Sequence, residues 1–219
     1  RVLFRSVETE MGQRATMFYD PRGQVIRTVN PDGSEQRVIY GVPTDLTNPE
    51  MFTATPWEAY TYDANDLAPV STSNLPDGTS VNLGSRAPEA HHFTPASVVV
   101  DGLGRTIIAV ERNGSNPETE LYVTRTSYDI RGNVLTVTDA LGREAFRYGY
   151  DLANNPLRTD SIDAGLKRTV LDAMGNALEQ RDSKGTLMLQ AYDTLNRPTH
   201  SWGRDAQATD LGLRQRLVY

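Results

Sequence analysis

Short runs of five to seven β-forming residues alternate along this chain with polar turn clusters, and the clusters recur at a fixed offset. Val25-Ile26-Arg27-Thr28-Val29 lies between Asp20-Pro21-Arg22-Gly23 and Asn30-Pro31-Asp32-Gly33. Val134-Leu135-Thr136-Val137-Thr138 lies in the same way between Asp129-Ile130-Arg131-Gly132 and Asp139-Ala140-Leu141-Gly142. Asp at the first turn position with Gly three residues later predicts a type I turn, its carboxylate accepting backbone N–H groups and Gly taking the left-handed conformation. The offset between turns is 10 residues for Gly23–Gly33, Gly104–Gly114, Gly132–Gly142 and Gly175–Gly185, and 11 for Asn154–Gly165. Strands of ordinary length between turns this regular predict an all-β antiparallel meander of hairpins.

A longer period is laid over the shorter one. Tyr128-Asp129 returns as Tyr150-Asp151, Leu171-Asp172 and Tyr192-Asp193, the aspartates 22, 21 and 21 residues apart. Gly132 and Gly175 hold the fourth position of the turn, and Asn154 and Asn196 replace Gly where φ must be positive. Earlier copies are Tyr19-Asp20-Pro21-Arg22-Gly23 and Val100-Asp101-Gly102-Leu103-Gly104. Such a period marks a repeat architecture whose units bury their apolar faces only against neighbours. Tyr before Asp reads as packing: its ring covers the turn or the next unit, its hydroxyl reaches a polar rim, and successive tyrosines form a ladder at one edge. The alternative is a carbohydrate-stacking platform on Tyr128, Tyr150 and Tyr192. Val100 and Leu171 in the Tyr position favour packing.

Residues 43–97 break the pattern, with seven of the twelve prolines at 43, 49, 56, 69, 76, 88 and 95. Thr55-Pro56-Trp57-Glu58 is a capping box and predicts a short helix from Pro56 towards Asp63. Tyr62-Asp63-Ala64-Asn65 resembles the repeat phrase and competes with that helix, Asp63 standing 43 residues, close to two periods, after Asp20. A second helical turn is expected after Ser85, through Glu89. Phe52, Trp57, Tyr60 and Phe93 are too many aromatics for a flexible linker, so the segment is expected to be ordered and packed on the sheet. The expected organisation is a first repeat region over 1–42, this insertion over 43–97, a repeat array over 98–203, and a loop with a terminal strand over 204–219. Both ends read as cut edges, so the chain is expected to be a piece of a longer protein.

The hydrophobic fraction of 38% is lean for a compact globule and suits a thin sheet wetted on both faces. A net charge of −6, from 22 basic and 28 acidic residues without long runs, gives no sign of nucleic acid or an anionic membrane as a partner. Cysteine is absent, which excludes disulfides and thiolate metal sites, and no run of 18 apolar residues occurs to span a membrane. The aspartates sit where turns require them rather than as catalytic pairs. His91-His92 with Glu89 nearby lacks a converging third ligand, and Asn113-Gly114-Ser115 is only a formal glycosylation sequon. No catalytic residue, metal or cofactor is expected.

Tyr-Asp-x-x-Gly-(Asn/Arg), a β run, Asp-x-x-Gly and another β run resembles the YD or Rhs repeat, with residues 128–143 a near-ideal copy over a resemblance covering about 14–40 and 98–203. With Asn30-Pro31-Asp32-Gly33-Ser34, Thr55 to Asp66 and Asp101 to Thr106, the chain is similar to the B component of bacterial insecticidal toxin complexes, the Tc toxins, whose N-terminal part is similar to the Salmonella virulence plasmid B protein. That resemblance implies a section of a secreted, hollow spiral shell of β-sheet, closed with a C component. The shell holds a cytotoxic polypeptide for delivery through a pore-forming A component. The implied structural residues are Tyr19, Asp20, Gly23, Asp101, Gly104, Tyr128, Asp129, Gly132, Asp139, Gly142, Tyr150, Asp151, Asp172, Gly175, Tyr192 and Asp193. The Asp-Pro-x-Gly-Leu core motif beside the self-cleavage site of related shells is not matched, because Asp20-Pro21-Arg22-Gly23 continues with Gln24.

Overall fold

The computed structural model describes residues 3–8, 14–68, 72–74, 80–82, 91–114 and 116–219. The protein is all-β, with no α-helix among these residues, and divides into two compact units, Arg1–Thr124 and Arg125–Tyr219.

In the first unit β1 (Leu3–Glu8), β2 (Arg14–Tyr19), β3 (Val25–Val29) and β4 (Glu35–Ile39) form a meander. The next strand beside β4 is β7 (Glu58–Tyr62), followed by β10 (Ala96–Val100) and β11 (Thr106–Arg112), all antiparallel. The chain between β4 and β7 makes a hairpin of β5 (Gly41–Pro43) and β6 (Phe52–Ala54). That between β7 and β10 contains a hairpin of β8 (Thr72–Asn74) and β9 (Ser80–Asn82). The proline-rich segment thus replaces two turns of the meander and contributes a central strand.

The helix expected from Pro56 towards Asp63 is not there. Thr55 Oγ1 does accept the backbone N–H of Trp57, at 3.3 Å, but the chain then enters β7. Tyr60 lies opposite both Ile39 of β4 and Ser97 of β10, and two ladders outweigh one local cap. Tyr62-Asp63 ends β7, but Asp63 Oδ1 accepts the N–H groups of Asn65 and Asp66, at 2.7 and 2.9 Å, and the next strand beside β7 is β10, so the phrase makes no repeat hairpin here. The helical turn expected after Ser85 lies outside the described residues. Of the aromatics expected to pack on the sheet, Tyr60 is buried, whereas Phe52 and Trp57 are exposed.

Among the described residues of this unit, Ile39, Leu46, Tyr60 and Tyr62 form a buried apolar cluster, with Leu67 against them. The second unit has no such cluster, and among its described residues only Leu187 is a buried hydrophobic. It runs from the Arg125 half of β12 (Leu121–Tyr128) through β13 (Val134–Thr138), β14 (Glu144–Tyr150), β15 (Pro156–Ser161) and β16 (Gly165–Leu171). It continues through β17 (Ala177–Arg181), β18 (Leu187–Tyr192), β19 (Pro198–Arg204) and β20 (Gly212–Arg216). Each strand pairs with the next, so the order is linear and the sheet does not close on itself. Most side chains on both faces keep some contact with water, the two-sided solvation that the lean composition predicts.

Tyr62 carries the largest stability prediction in the first unit. Its ring is fully buried, and its hydroxyl, pushed up to about 12 chiefly by burial, finds no hydrogen-bond partner among the described residues. Tyr62→Phe is expected to hold or raise stability by about 1 kcal/mol, and Tyr62→Ala to lose about 3–5 kcal/mol. Urea unfolding midpoints check both.

Candidate functional site: the repeated aspartate turn

Each repeat turn is built the same way from its aspartate. At Asp129 the Gly132 N–H donates to the Asp129 carbonyl at 3.2 Å, the type I turn, and the Asp129 N–H donates to the Asn133 carbonyl at 2.9 Å. This is a three-residue hairpin connection with a left-handed residue at its end. Inside it, Asp129 Oδ1 accepts the N–H groups of Arg131 at 2.8 Å and Asn133 at 2.9 Å. Asp151 repeats the pattern with Ala153 and Asn155, both at 2.8 Å, and Asp172 with Met174 and Asn176, both at 2.8 Å. Asp20, Asp101, Asp139 and Asp193 do the same with the residues two and four positions on. The register slips by one residue before each Tyr-Asp turn and before Leu171-Asp172, as between Ser127 and Tyr128, so each of these turns carries a β-bulge.

The residue four positions after the aspartate has a role that sequence reasoning left unassigned. Its side chain takes the second carboxylate oxygen: Asn133, Asn155 and Asn176 each donate Nδ2 at 2.9 Å, and Arg105, Arg143 and Arg197 donate Nε at 2.7–2.8 Å. Asn or Arg fits because each reaches back over one turn with an N–H beside its own backbone N–H. The recurrence of Asn or Arg at that place was the available signal.

Asn154 and Asn196, at φ 67° and 58°, join one turn to the previous one. Asn133 Nδ2 donates to Asn154 Oδ1 at 2.8 Å, and Asn176 Nδ2 to Asn196 Oδ1 at 3.2 Å. The tyrosines of the same two repeats act in parallel. Tyr150 Oη donates to the Val134 carbonyl at 3.0 Å, and Tyr192 Oη to the Ala177 carbonyl at 3.2 Å. At the intervening junction Leu171 replaces Tyr and Gly175 replaces Asn, so neither link is available. Joints 129/151 and 172/193 are therefore coupled, and joint 151/172 is not. The ring of Tyr150 packs on Tyr148 of its own strand, at 6.4 Å, and Tyr128, Tyr150 and Tyr192 are all half-buried. At the turn tips Ile130, Leu152, Met174 and Leu195 are exposed.

The electrostatics follow from these bonds. At Asp101, Asp129, Asp139, Asp151 and Asp172 the side-chain partner, and at Asp20, Asp182 and Asp193 a backbone N–H, holds the carboxyl below its ordinary value of 3.8. Asp66 goes the other way. Burial raises it, although Asp63 N–H, Thr94 N–H and the Thr94 hydroxyl all donate to it, at 2.7–3.0 Å. It ties the Asp63 turn to the chain entering β10. Among the described residues no group of three or more His, Asp or Glu is placed to hold a metal ion, and no helix is long and apolar enough to cross a membrane.

Two outcomes follow from the turns. A lowered carboxyl contributes stability that is complete above 3.8 and lost as pH falls through its folded value; the raised Asp66 has the opposite sign but is one group against eight. Thermal melting followed by circular dichroism should therefore give a lower midpoint at pH 3 than at pH 7, and Asp129→Asn with Asp151→Asn should shrink the difference. A double-mutant cycle of Asn133→Ala and Asn154→Gly should show a coupling of about 1 kcal/mol.

No family model matches the chain, and no curated protein matches it. Solved structures do. A chain in a crystal structure of TcdB2-TccC3 matches at a TM-score of 0.72 with 23% identity, over 96% of this chain and 10% of that one. A chain of TcdB2-TccC3 without its hypervariable C-terminal region matches at 0.70 with 24% identity, over 94% of this chain and 9% of that one. A chain in a Photorhabdus luminescens Tc holotoxin pore matches at 0.72 with 24% identity, over 94% and 9%. The protein shares the fold of a section of these chains and spans about a tenth of their length.

Proposed function

We propose that this chain is a non-enzymatic section of wall in a secreted YD-repeat shell, most like the B component of a Tc toxin, and that the wall encloses a cytotoxic polypeptide. The observation that carries the reading is the second unit: an open sheet of hairpins with no filled interior, wetted on both faces. A binding domain or an enzyme is ordinarily built on a packed core with a concave site, whereas a partition needs only two faces and sound edges. The fold likeness to chains of Tc toxin structures supports the same reading. So do the apolar turn tips, which a wall section exposes when taken out of its surroundings.

On this reading the partners are a C component, which closes the shell and supplies the cargo, and a pore-forming A component reached through the parent protein. The residues 1–42, 98–203 and 204–219 are wall, and 43–97 is an insertion that adds strands to it. The glycan-binding alternative needs exposed, co-facing rings at Tyr128, Tyr150 and Tyr192; those rings are half-buried, and two of the hydroxyls are bonded to backbone carbonyls. A hydrolytic carboxylate pair would draw on Asp66, whose oxygens already hold three donors.

Protease protection tests the proposal on the parent protein assembled with its C-component partner. The partner's C-terminal region should resist digestion in the assembly and be degraded when that partner is expressed alone. Equal digestion in both states would remove the enclosing role.

A further inference from the structure

The two faces of the second unit differ in charge, a difference visible only once the register is known. Residues directly opposite each other across antiparallel strands share a face, and successive residues along a strand alternate. Arg158 of β15 lies opposite Arg168 of β16, and Arg168 opposite Arg181 of β17. The row continues through Leu187 of β18 to Arg204 of β19. Arg147 of β14 lies opposite Asp160 on the same face, and Arg216 of β20 opposite His200, also on that face. On the other side, the same strands present Phe146, Thr159, Lys167, Thr169, Gln180 and Met188.

Like charges directly opposite one another destabilise a sheet, and here they occupy three adjacent strands in a chain whose net charge is −6. Arg147, Arg158 and Arg181 are held by Glu144, Asp160 and Glu179, all within three residues on their own strands. These pairs are solvent-exposed, and exposed pairs exchange partners at small cost. Arg168, Arg204 and Arg216 have no anionic partner among the described residues, and Arg168 and Arg216 are exposed.

We propose that this arginine face of the second unit docks an acidic polypeptide segment. Guanidinium forks pair with carboxylates in a bidentate fashion, and Arg168, between Arg158 and Arg181, places three guanidinium groups on adjacent strands within reach of Glu or Asp side chains. A polyanion whose charges are fixed along its backbone is disfavoured, since Glu144, Asp160 and Glu179 lie along the same strip and the whole chain is acidic. Carboxylates on the flexible side chains of a polypeptide can turn away from those acids and towards the arginines. The surface stands on the register and the charges alone, and holds whether or not the sheet is part of a shell.

Fluorescence anisotropy with labelled poly-glutamate tests this on the full 219-residue chain, with poly-glutamine as the neutral control. The chain should bind poly-glutamate and not poly-glutamine, and binding should weaken with added salt. The double variant Arg168→Gln with Arg204→Gln should bind about tenfold more weakly. Arg168→Lys should keep most of the affinity, and Lys167→Gln, on the other face, should keep all of it; circular dichroism checks that each variant folds. The proposal is overturned if poly-glutamate fails to bind, or if Lys167→Gln weakens it as much as the double variant. It is equally overturned if oligothymidylate or phosphatidylserine vesicles bind more tightly than poly-glutamate at equal charge.

Discussion

One carboxylate oxygen accepting two backbone N–H groups, from the residues two and four positions on, is the interaction on which the second unit rests. A hairpin must reverse direction without leaving those N–H groups unpaired, and an aspartate at the first turn position supplies the acceptor from within the turn. Because the bond is local, it does not depend on a packed interior. That independence lets strand follow strand from β13 to β19, through five such turns and the Ser161–Gly165 turn, with a single buried apolar side chain among the described residues of the unit. An ordinary sandwich would spend apolar area to fix its strands. Here the turn fixes the register, and the sheet extends by adding turns.

The first unit solves the same problem with a small core. Where the proline-rich segment replaces two turns, no repeat aspartate closes the hairpins between β4 and β7 or between β7 and β10. Burial of Ile39, Leu46, Tyr60 and Tyr62, and the three donors on Asp66, hold the strands instead. Local turn chemistry and long-range packing are interchangeable means to one register, and the chain uses each where the other is missing.

What could be read from the sequence follows that division. The Asp-x-x-Gly turns, the strands between them and the Asn substitutions at positive φ were legible because they are set within five residues. The strand at Glu58–Tyr62 was not: Thr55-Pro56-Trp57-Glu58 carries a genuine local helix signal, and the ladders to Arg37–Ile39 and Ala96–Val99 that override it are made with distant residues. The local signal against the helix was the Tyr62-Asp63 phrase, since such phrases elsewhere end a strand. The arginine face was equally hidden. Each bulge shifts the register by one residue, so which arginines share a side follows only from the observed pairing.

The alternation of coupled and uncoupled joints carries a consequence for how such a chain changes length. Turns 129 and 151 are stitched by Asn133–Asn154 and Tyr150–Val134, turns 172 and 193 by Asn176–Asn196 and Tyr192–Ala177, and nothing equivalent bridges 151 to 172. The unit stitched by side chains along this edge is therefore a couplet of repeats. Duplication of a couplet repeats both links, whereas loss of the 151 repeat alone would place Asn133 before Gly175, which offers no side-chain acceptor.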